Sequence, residues 1–181
     1  LGKKVAIAGG KEAMKYFRKP NLRFENKSHT DFDPVSKADE NTENIMMNLI
    51  LKHRPNDAIM GEENIDIKGS SGFSWIIDPI DGTRSFIIGS PTWSNLISVN
   101  YQNEPTFGLV NFPMLKKYYI TGTNKDSYLV ENNKFKKLKV SKTSTLKQSK
   151  IAGNFFGWLS IEQQKKISNF TKFMRYPCSD A

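Results

Sequence analysis

The sequence contains few of the residues that build metal clusters or covalent cross-links. It has one cysteine, Cys178, and two histidines, His29 and His53. A single cysteine excludes a disulfide framework and a cysteine-based zinc cluster, and two histidines leave little room for a His-rich metal site. No apolar run approaches the roughly 20 residues that a membrane-spanning helix needs. We therefore expect a cytoplasmic protein with no membrane partner, and we assign these three residues no role.

Charged residues are numerous but unevenly distributed. The 181 residues carry 27 Lys and Arg against 18 Asp and Glu, and 38% of them are hydrophobic, which is enough for a folded core. Residues 115–150 hold ten lysines against two acids, whereas residues 33–81 hold ten acids against four bases. The lysines alternate with apolar residues, which is typical of the solvated face of a strand. Arginine is scarce and no nucleic-acid-binding motif occurs, so we predict no nucleic-acid partner. A non-enzymatic polyanion-binding module stays open as the alternative from another class.

Hydrophobic spacing predicts helices near both ends of the chain and strands between them. The predicted helices cover residues 3–19, 37–53 and 160–173, and Ser36 with Asp39 resembles a capping box at the start of the second helix. Residues 21–35 are expected to be polar and irregular. Strands, most of them antiparallel, are predicted over residues 58–60, 73–77, 96–99, 106–110, 117–121, 127–130 and 135–140. This order predicts an α+β fold built of layers of helix and sheet.

Residues 75–83, Trp-Ile-Ile-Asp-Pro-Ile-Asp-Gly-Thr, have a pattern that is unusual for a scaffold. A hydrophobic strand leads directly into Asp78 and Asp81, which are separated by a turn that contains a proline. Two close carboxylates repel each other unless a cation lies between them, and Mg²⁺ prefers oxygen ligands that it often shares with phosphate. The Gly82 and Thr83 amides, at the predicted start of a short helix, favour an anion. The stretch therefore indicates metal-dependent phosphate chemistry, with a plain strand-to-turn junction as the alternative.

Other acidic residues are candidates for the same metal site. Glu62 and Glu63 follow Gly61 just after the first predicted strand. If that strand neighbours the next one, Glu62 completes the metal shell, whereas Glu63 is interpreted as a solvated loop acid. Asp39 lies in the first turn of the second predicted helix, where capping alone would explain it.

Together, residues 75–83, the Gly-Glu-Glu triplet at 61–63 and residues 34–39 resemble the inositol monophosphatase family of Mg²⁺-dependent phosphatases. Residues 83–93 and 108–113 most resemble the histidinol-phosphatase branch of that family. The resemblance implies a layered α/β/α/β/α sandwich of the sugar-phosphatase type. It implies hydrolysis of a small phosphorylated metabolite, with histidinol phosphate as the best candidate and inositol, other sugar or nucleotide phosphates as alternatives. It also allows a homodimer.

The resemblance implies a set of metal ligands. Glu62, Asp78 and the backbone carbonyl of Ile80 would ligate a first Mg²⁺. Asp78 and Asp81 would ligate a second. On this basis we expect two or three Mg²⁺ ions per site, which would clamp the phosphoryl group during an in-line displacement.

The resemblance also implies the catalytic and substrate-binding residues. Asp39, Thr83 and Glu62 form the catalytic set, in which Asp39 and Thr83 orient and deprotonate the water that attacks phosphorus. Asp81, Gly82 and Thr83 bind the substrate, with the amides of Gly82 and Thr83 holding its phosphate. No phosphoenzyme is required.

The sequence departs from the family pattern in two respects, of which the milder is that Ser36 stands where threonine is usual. Family members carry a further metal-ligating aspartate after a tryptophan, and Trp75, Trp93 and Trp158 lack a following Asp. We therefore interpret the chain as incomplete. Residues 1–145 are predicted to form an N-terminal helix-and-sheet domain with the metal and phosphate site, and residues 146–181 the start of a C-terminal α/β domain whose layer is mostly missing.

A second phosphatase class is the alternative for residues 31–35, Asp-Phe-Asp-Pro-Val. They formally match the nucleophile motif of haloacid-dehalogenase-type enzymes. That motif needs a buried apolar strand before it, and residues 25–30 are polar. We therefore expect the Asp31→Asn variant to keep its activity.

Overall fold

The computed structural model describes residues 1–20, 24–26, 34–122, 126–153, 159–171 and 176–179. The chain divides into two compact units, Leu1–Leu138 and Lys139–Ala181. In the first unit the helices are α1 (Gly2–Ala13), α2 (Lys37–His53) and α3 (Thr83–Ile87). Its strands are β1 (Phe24–Asn26), β2 (Pro34–Ser36), β3 (Ala58–Met60), β4 (Phe73–Asp81), β5 (Ser94–Tyr101), β6 (Glu104–Phe112), β7 (Lys117–Thr121), β8 (Ser127–Glu131) and β9 (Lys134–Lys137).

The largest sheet has seven strands that follow one another in chain order from β3 to β9. β3 runs parallel to β4, and every later pair is antiparallel. This confirms the predicted meander. β4, β5, β6 and β8 extend beyond their predicted ends because backbone pairing continues where the side-chain pattern weakens. β3 and β7 have the predicted bounds, whereas β9 ends at Lys137 rather than at residue 140 because its pairing with β8 ends there.

A separate small sheet is formed by β1 and β2, which pair antiparallel with Phe24 opposite Ser36. The prediction that residues 21–35 are irregular was therefore wrong for these two strands. Their pairing satisfies backbone hydrogen bonds without needing an alternating apolar pattern. The Asp-Phe-Asp part of the alternative nucleophile motif, together with His29, lies outside the described residues.

Helices α1 and α2 pack against each other and against the large sheet. They share a buried hydrophobic core with its central strands, to which Val5, Met46, Ile50, Trp75 and Ile97 belong. α2 has the predicted bounds, and its N-terminus carries the predicted capping box. The layer of helices thus lies on the sheet and brings the start of α2 towards the end of β4, where the acidic residues are.

Helix α1 ends earlier than predicted, at Ala13 rather than near residue 19. After Ala13 the chain continues in turns, and Arg18 takes a left-handed conformation with φ of 58°. The Arg18 guanidinium donates two hydrogen bonds, of 3.0 and 2.8 Å, to the Gly89 carbonyl oxygen. The neighbouring Phe17 packs in a second buried cluster, together with Phe86 and Trp93. These tertiary contacts replace the final helical turn that the apolar spacing had indicated.

In the second unit, β10 (Lys150–Gly153) and β11 (Tyr176–Ser179) form a parallel pair, with α4 (Ile161–Thr171) between them in the chain. A short 3-10 turn covers Leu146–Gln148. A parallel pair needs such a crossover connection. The predicted α+β class is confirmed. Among the described residues, no helix combines the length and the apolar character that crossing a membrane requires.

Candidate active site

The two aspartates of the acidic stretch lie on strand β4 itself rather than in a turn after it. β4 continues through Pro79 to Asp81, and its register with β5 shifts between Asp78 and Asp81. A proline removes a ladder donor, so within a sheet it is tolerated where pairing is interrupted. The prediction of a turn at this position was therefore wrong, and an irregular strand end takes its place.

A buried asparagine supports this strand end. The Asn95 side-chain amide, fully buried on β5, donates a hydrogen bond of 2.6 Å to the Pro79 carbonyl oxygen. The Asn111 amide on β6 in turn donates to the Asn95 side-chain oxygen at 2.8 Å. Asn95 satisfies a backbone carbonyl that the shifted ladder leaves without a strand partner. The role of Asn95 could not be predicted from the sequence, because an asparagine within an apolar strand forms no recognisable motif.

Glu62 and Asp78 are brought together, as the sequence predicted, because β3 and β4 are neighbours. The parallel register places Met60 opposite Ile76, so the residues that follow in each strand lie at the same edge of the sheet. Burial raises the pKa of Asp78 to about 8, helped by the negative charges of Glu62 and Asp81 and by a hydrogen bond with Glu62. Three carboxyl groups therefore interact at the end of β4.

This arrangement has the donor chemistry of a site for a hard cation. Asp78 Oδ1 is buried and has no hydrogen-bond partner among the described residues. An unsatisfied buried carboxylate oxygen is costly unless a proton or a cation meets it. Oxygen ligands of this kind suit Mg²⁺. Within the described ranges, no three His, Cys, Asp or Glu side chains already surround one point as metal ligands.

The Gly82–Thr83 segment turns the chain from β4 into α3. Gly82 precedes the helix with φ of 82°, a left-handed conformation that a residue without Cβ adopts easily. The Thr83 hydroxyl donates to the Ile80 carbonyl oxygen at 3.1 Å. Ser94 Oγ donates to Asp81 at 3.1 Å. Thr83, Ile80 and Asp81 are thus held together within one turn of chain.

Asp39 is buried at the start of α2, where it caps the helix. Its Oδ2 accepts hydrogen bonds from the Ser36 backbone N–H at 2.9 Å and from the Ser36 hydroxyl at 2.6 Å. The neighbouring Ala38 packs in the same buried cluster as Ile80 and Phe86. The structure therefore brings the N-terminus of α2 beside the end of β4. The capping function predicted for Asp39 is confirmed, and its part in catalysis stays a prediction.

The loop that carries Glu62 is held by Glu43, an acid of α2 that the sequence analysis did not single out. Glu43 is fully buried. Its carboxylate accepts hydrogen bonds from the backbone N–H groups of Glu62, Glu63 and Asn64 at 2.8, 2.9 and 2.7 Å. The Asn64 side-chain amide donates a further bond of 2.7 Å. The sequence feature that could have identified Glu43 is its position as a charged residue on the inward face of an amphipathic helix.

Comparison with known proteins agrees with these features. A family model described as the inositol monophosphatase family matches residues 2–179. The bifunctional phosphatase IMPL2, chloroplastic, of Arabidopsis thaliana is 39% identical over 126 residues, which cover 66% of this chain and 34% of that protein. The histidinol-phosphatase of Streptomyces coelicolor is 30% identical over 177 residues, which cover 94% of this chain and 64% of that protein.

A solved structure, the extragenic suppressor protein suhB from Bartonella henselae, shares the fold. It superposes with a TM-score of 0.86 at 23% identity, covering 98% of this chain and 68% of that one. Relatives named histidinol-phosphatase and relatives named inositol-1-monophosphatase both match. The chain spans between about a third and two thirds of the length of these curated relatives. On the match over residues 2–179, the chain belongs to the inositol monophosphatase family.

Proposed function

We propose that the protein is a Mg²⁺-dependent phosphomonoesterase whose active site lies at the end of β4. The observation that carries this proposal is the meeting of Glu62 and Asp78 at that strand end, with Asp81 close enough to raise the pKa of Asp78. Family membership supports it, because members of the family are phosphatases and generally depend on Mg²⁺. The Gly82–Thr83 segment, directly after the acidic residues, gives the site a place for the phosphate.

The carboxylates and one carbonyl would hold the cations. Glu62, Asp78 and the Ile80 carbonyl oxygen form one ligand set, and Asp78 with Asp81 forms a second. Two or three ions are expected per site. Bound Mg²⁺ supplies charge to neutralise the phosphoryl oxygens and lowers the pKa of water. The unsatisfied Oδ1 of Asp78 supports its assignment as a cation ligand.

The remaining residues would position water and phosphate. Asp39 and Thr83 orient a water molecule and take its proton, and the Gly82 and Thr83 amides bind the phosphate. Water oxygen bonds to phosphorus as the bond from phosphorus to the leaving alcohol oxygen breaks, and the alcohol takes up a proton. Because water attacks directly, no phosphoenzyme forms. The products are inorganic phosphate and the free alcohol.

Histidinol phosphate is the substrate that we propose, which would place the enzyme in histidine biosynthesis in the cytoplasm. The sequence of residues 83–93 and 108–113 supports this choice, as does the relative of that name from Streptomyces coelicolor. An inositol monophosphate is the main alternative, since relatives of that name also match.

The test is release of inorganic phosphate by the protein, with and without Mg²⁺. Histidinol phosphate and inositol monophosphate are compared at equal concentration. We expect Mg²⁺-dependent release with a clear preference for histidinol phosphate. Preference for inositol monophosphate would contradict the substrate and keep the mechanism, whereas release that is indifferent to Mg²⁺ would contradict the mechanism.

A further inference from the structure

A single buried carboxylate organises the loop that follows β3. Glu43 lies on α2, and its two oxygens accept four hydrogen bonds from residues 62–64. An ionised carboxylate offers about four acceptor positions and no donor. All four acceptor positions of Glu43 are used by the loop. The three consecutive backbone N–H groups of residues 62–64 therefore all point towards this one carboxylate.

The fit between Glu43 and the loop is close. A Cβ built on Gly61 would collide with Glu43 Oε1 and would lie 2.6 Å from Glu43 Cδ. Only a residue without a side chain leaves room for the carboxylate at this point. Gly61 therefore lets the loop wrap around Glu43, and the next residue in the chain is Glu62.

We propose that Glu43 is a positioning residue for Glu62 and thereby sets the affinity of the site for Mg²⁺. The inference rests on the proposed function, since Glu62 is a ligand there. Glu43 holds the Glu62 backbone N–H at 2.8 Å, and the Glu62 side chain reaches Asp78, with which it shares a hydrogen bond. Because groups that orient metal ligands tune metal affinity, losing Glu43 weakens binding without removing any ligand.

The main variant is Glu43→Gln, which keeps the size of the side chain. Its amide nitrogen is a donor, so one pair of loop N–H groups would face another N–H group instead of an oxygen. We expect the Mg²⁺ dissociation constant, measured by titration calorimetry on the whole chain, to rise by about 10- to 100-fold. Amide exchange at Glu62, Glu63 and Asn64 should also become faster.

Asp57→Asn is the matched control. Asp57 is another buried carboxyl group with several donors, Arg54, Ser71 and Trp75, but none of them belongs to the loop at residues 62–64. It should lower stability and leave the Mg²⁺ affinity of the folded protein unchanged. If Glu43→Gln binds Mg²⁺ as the wild type does, or if both variants lose affinity equally, the positioning role is wrong.

Two further variants keep the test decisive. Asn64→Ala removes one of the four bonds to Glu43 and keeps the three backbone donors, so it should bind Mg²⁺ with an affinity between those of wild type and Glu43→Gln. If Glu43→Gln does not fold, Asn64→Ala alone tests the positioning role. In that case, an Mg²⁺ affinity of Asn64→Ala equal to that of the wild type would overturn the inference. Glu62→Gln tests the proposed function separately. If it binds Mg²⁺ like the wild type, the ligand assignment fails, whereas weaker binding by Glu62→Gln with no effect at Glu43 overturns the positioning role alone.

Discussion

Buried carboxyl groups in this protein differ in what they contact. Asp57 accepts hydrogen bonds from Arg54, Ser71 and Trp75, Glu43 accepts from the loop at residues 62–64, and Asp39 caps α2 through Ser36. Asp78 instead faces Glu62 and keeps one buried oxygen without a partner among the described residues. Since an unsatisfied buried acceptor is costly, this oxygen supports the proposal that Asp78 holds a cation.

Asp57 should make stability depend on pH. Burial alone would raise the pKa of Asp57, but hydrogen bonds from Arg54, Ser71 and Trp75 and the Arg54 charge lower it below its usual value. Because the folded-state pKa is the lower one, Asp57 stabilises the folded state above the unfolded-state pKa of about 4, and this contribution is lost as pH falls through the folded-state pKa. Replacement by Asn should cost about 1–3 kcal/mol at pH 7 in urea unfolding.

The same comparison at acid pH is the control for this prediction. Below about pH 4 the stability difference between wild type and Asp57→Asn should shrink. As the wild-type carboxyl group becomes protonated, it loses its charge and is then neutral like the asparagine. A difference that stays constant down to pH 3 would show that the ionised form of Asp57 does not contribute.

Asp39 allows capping and catalysis to be separated. In Asp39→Asn the amide oxygen can still accept from the Ser36 backbone N–H, so α2 keeps most of its cap. We expect kcat to fall by roughly 10²–10⁴-fold, the usual contribution of a general base, with Mg²⁺ affinity nearly unchanged. Steady-state phosphate release and calorimetry measure the two quantities. Full activity in this variant would leave Asp39 as a cap and nothing more.

At the scale of elements, the end of β4 that carries Asp78 and Asp81 depends on its neighbour β5. At the register shift between Asp78 and Asp81, the Pro79 carbonyl oxygen accepts a hydrogen bond from the Asn95 side chain. The Asn95 side-chain oxygen in turn accepts a hydrogen bond from Asn111. Sheet irregularities of this kind often re-aim side chains at functional sites. The buried asparagine pair is thus part of how β4 presents its carboxylates.

Asn95→Ala should therefore affect both stability and metal binding. A buried carbonyl and a buried amide would lose their partner, which costs about 1–3 kcal/mol in the free energy of unfolding. Mg²⁺ affinity should fall as well. Asn100→Ala, at the other end of β5 and only partly buried, is the control and should change neither quantity appreciably. Equal effects of the two variants would contradict a special role for Asn95.

Elements with a clear pattern and a clear end could be predicted from the sequence. α2 has both, a capping box at Ser36 and a proline after its end, and its predicted bounds are the observed ones. α1 was predicted too long because Phe17 continues the apolar spacing while its side chain packs against Phe86 and Trp93 in a separate cluster. Such long-range contacts leave no trace in local periodicity.

In the candidate site, too, residues with a local sequence pattern could be predicted, whereas residues that act through long-range contacts could not. Asp78, Asp81 and Thr83 could be found because they are adjacent in the chain and carry a recognisable pattern. Glu43 and Asn95 could not, since their partners lie 16–21 positions away in sequence. The supporting residues of the site become visible only when the sheet and helices are assembled.

At the scale of the whole molecule, the positive charge accumulates on surface strands away from the acidic site residues. Lys134, Lys136 and Lys137 lie exposed on β9, the last strand of the sheet, and Lys137 forms an ion pair of 2.6 Å with Asp126. Exposed lysines on an edge strand discourage pairing with other chains. The predicted alternation is only partly met, since Phe135 on β9 is exposed like the lysines beside it and the strand ends at Lys137. Polyanion binding stays an untested alternative.

The double variant Lys134→Glu/Lys136→Glu tests whether this face contributes to function. Surface substitutions of this kind change stability by no more than about 0.5 kcal/mol, and we expect kcat to stay unchanged. Only association with an anionic substrate at low salt should slow, because the effect of distant surface charge is on the rate of encounter. A large fall in kcat at physiological salt would assign this face a direct part in the reaction.

The most direct test of the account compares phosphate release by wild type and Asp78→Asn as Mg²⁺ is titrated, with histidinol phosphate as substrate. We predict that the wild type needs Mg²⁺ and that Asp78→Asn, with its fold intact by circular dichroism, loses the Mg²⁺-dependent rate. Equal rates and equal Mg²⁺ dependence in the two proteins would contradict the placement of the metal site at the end of β4.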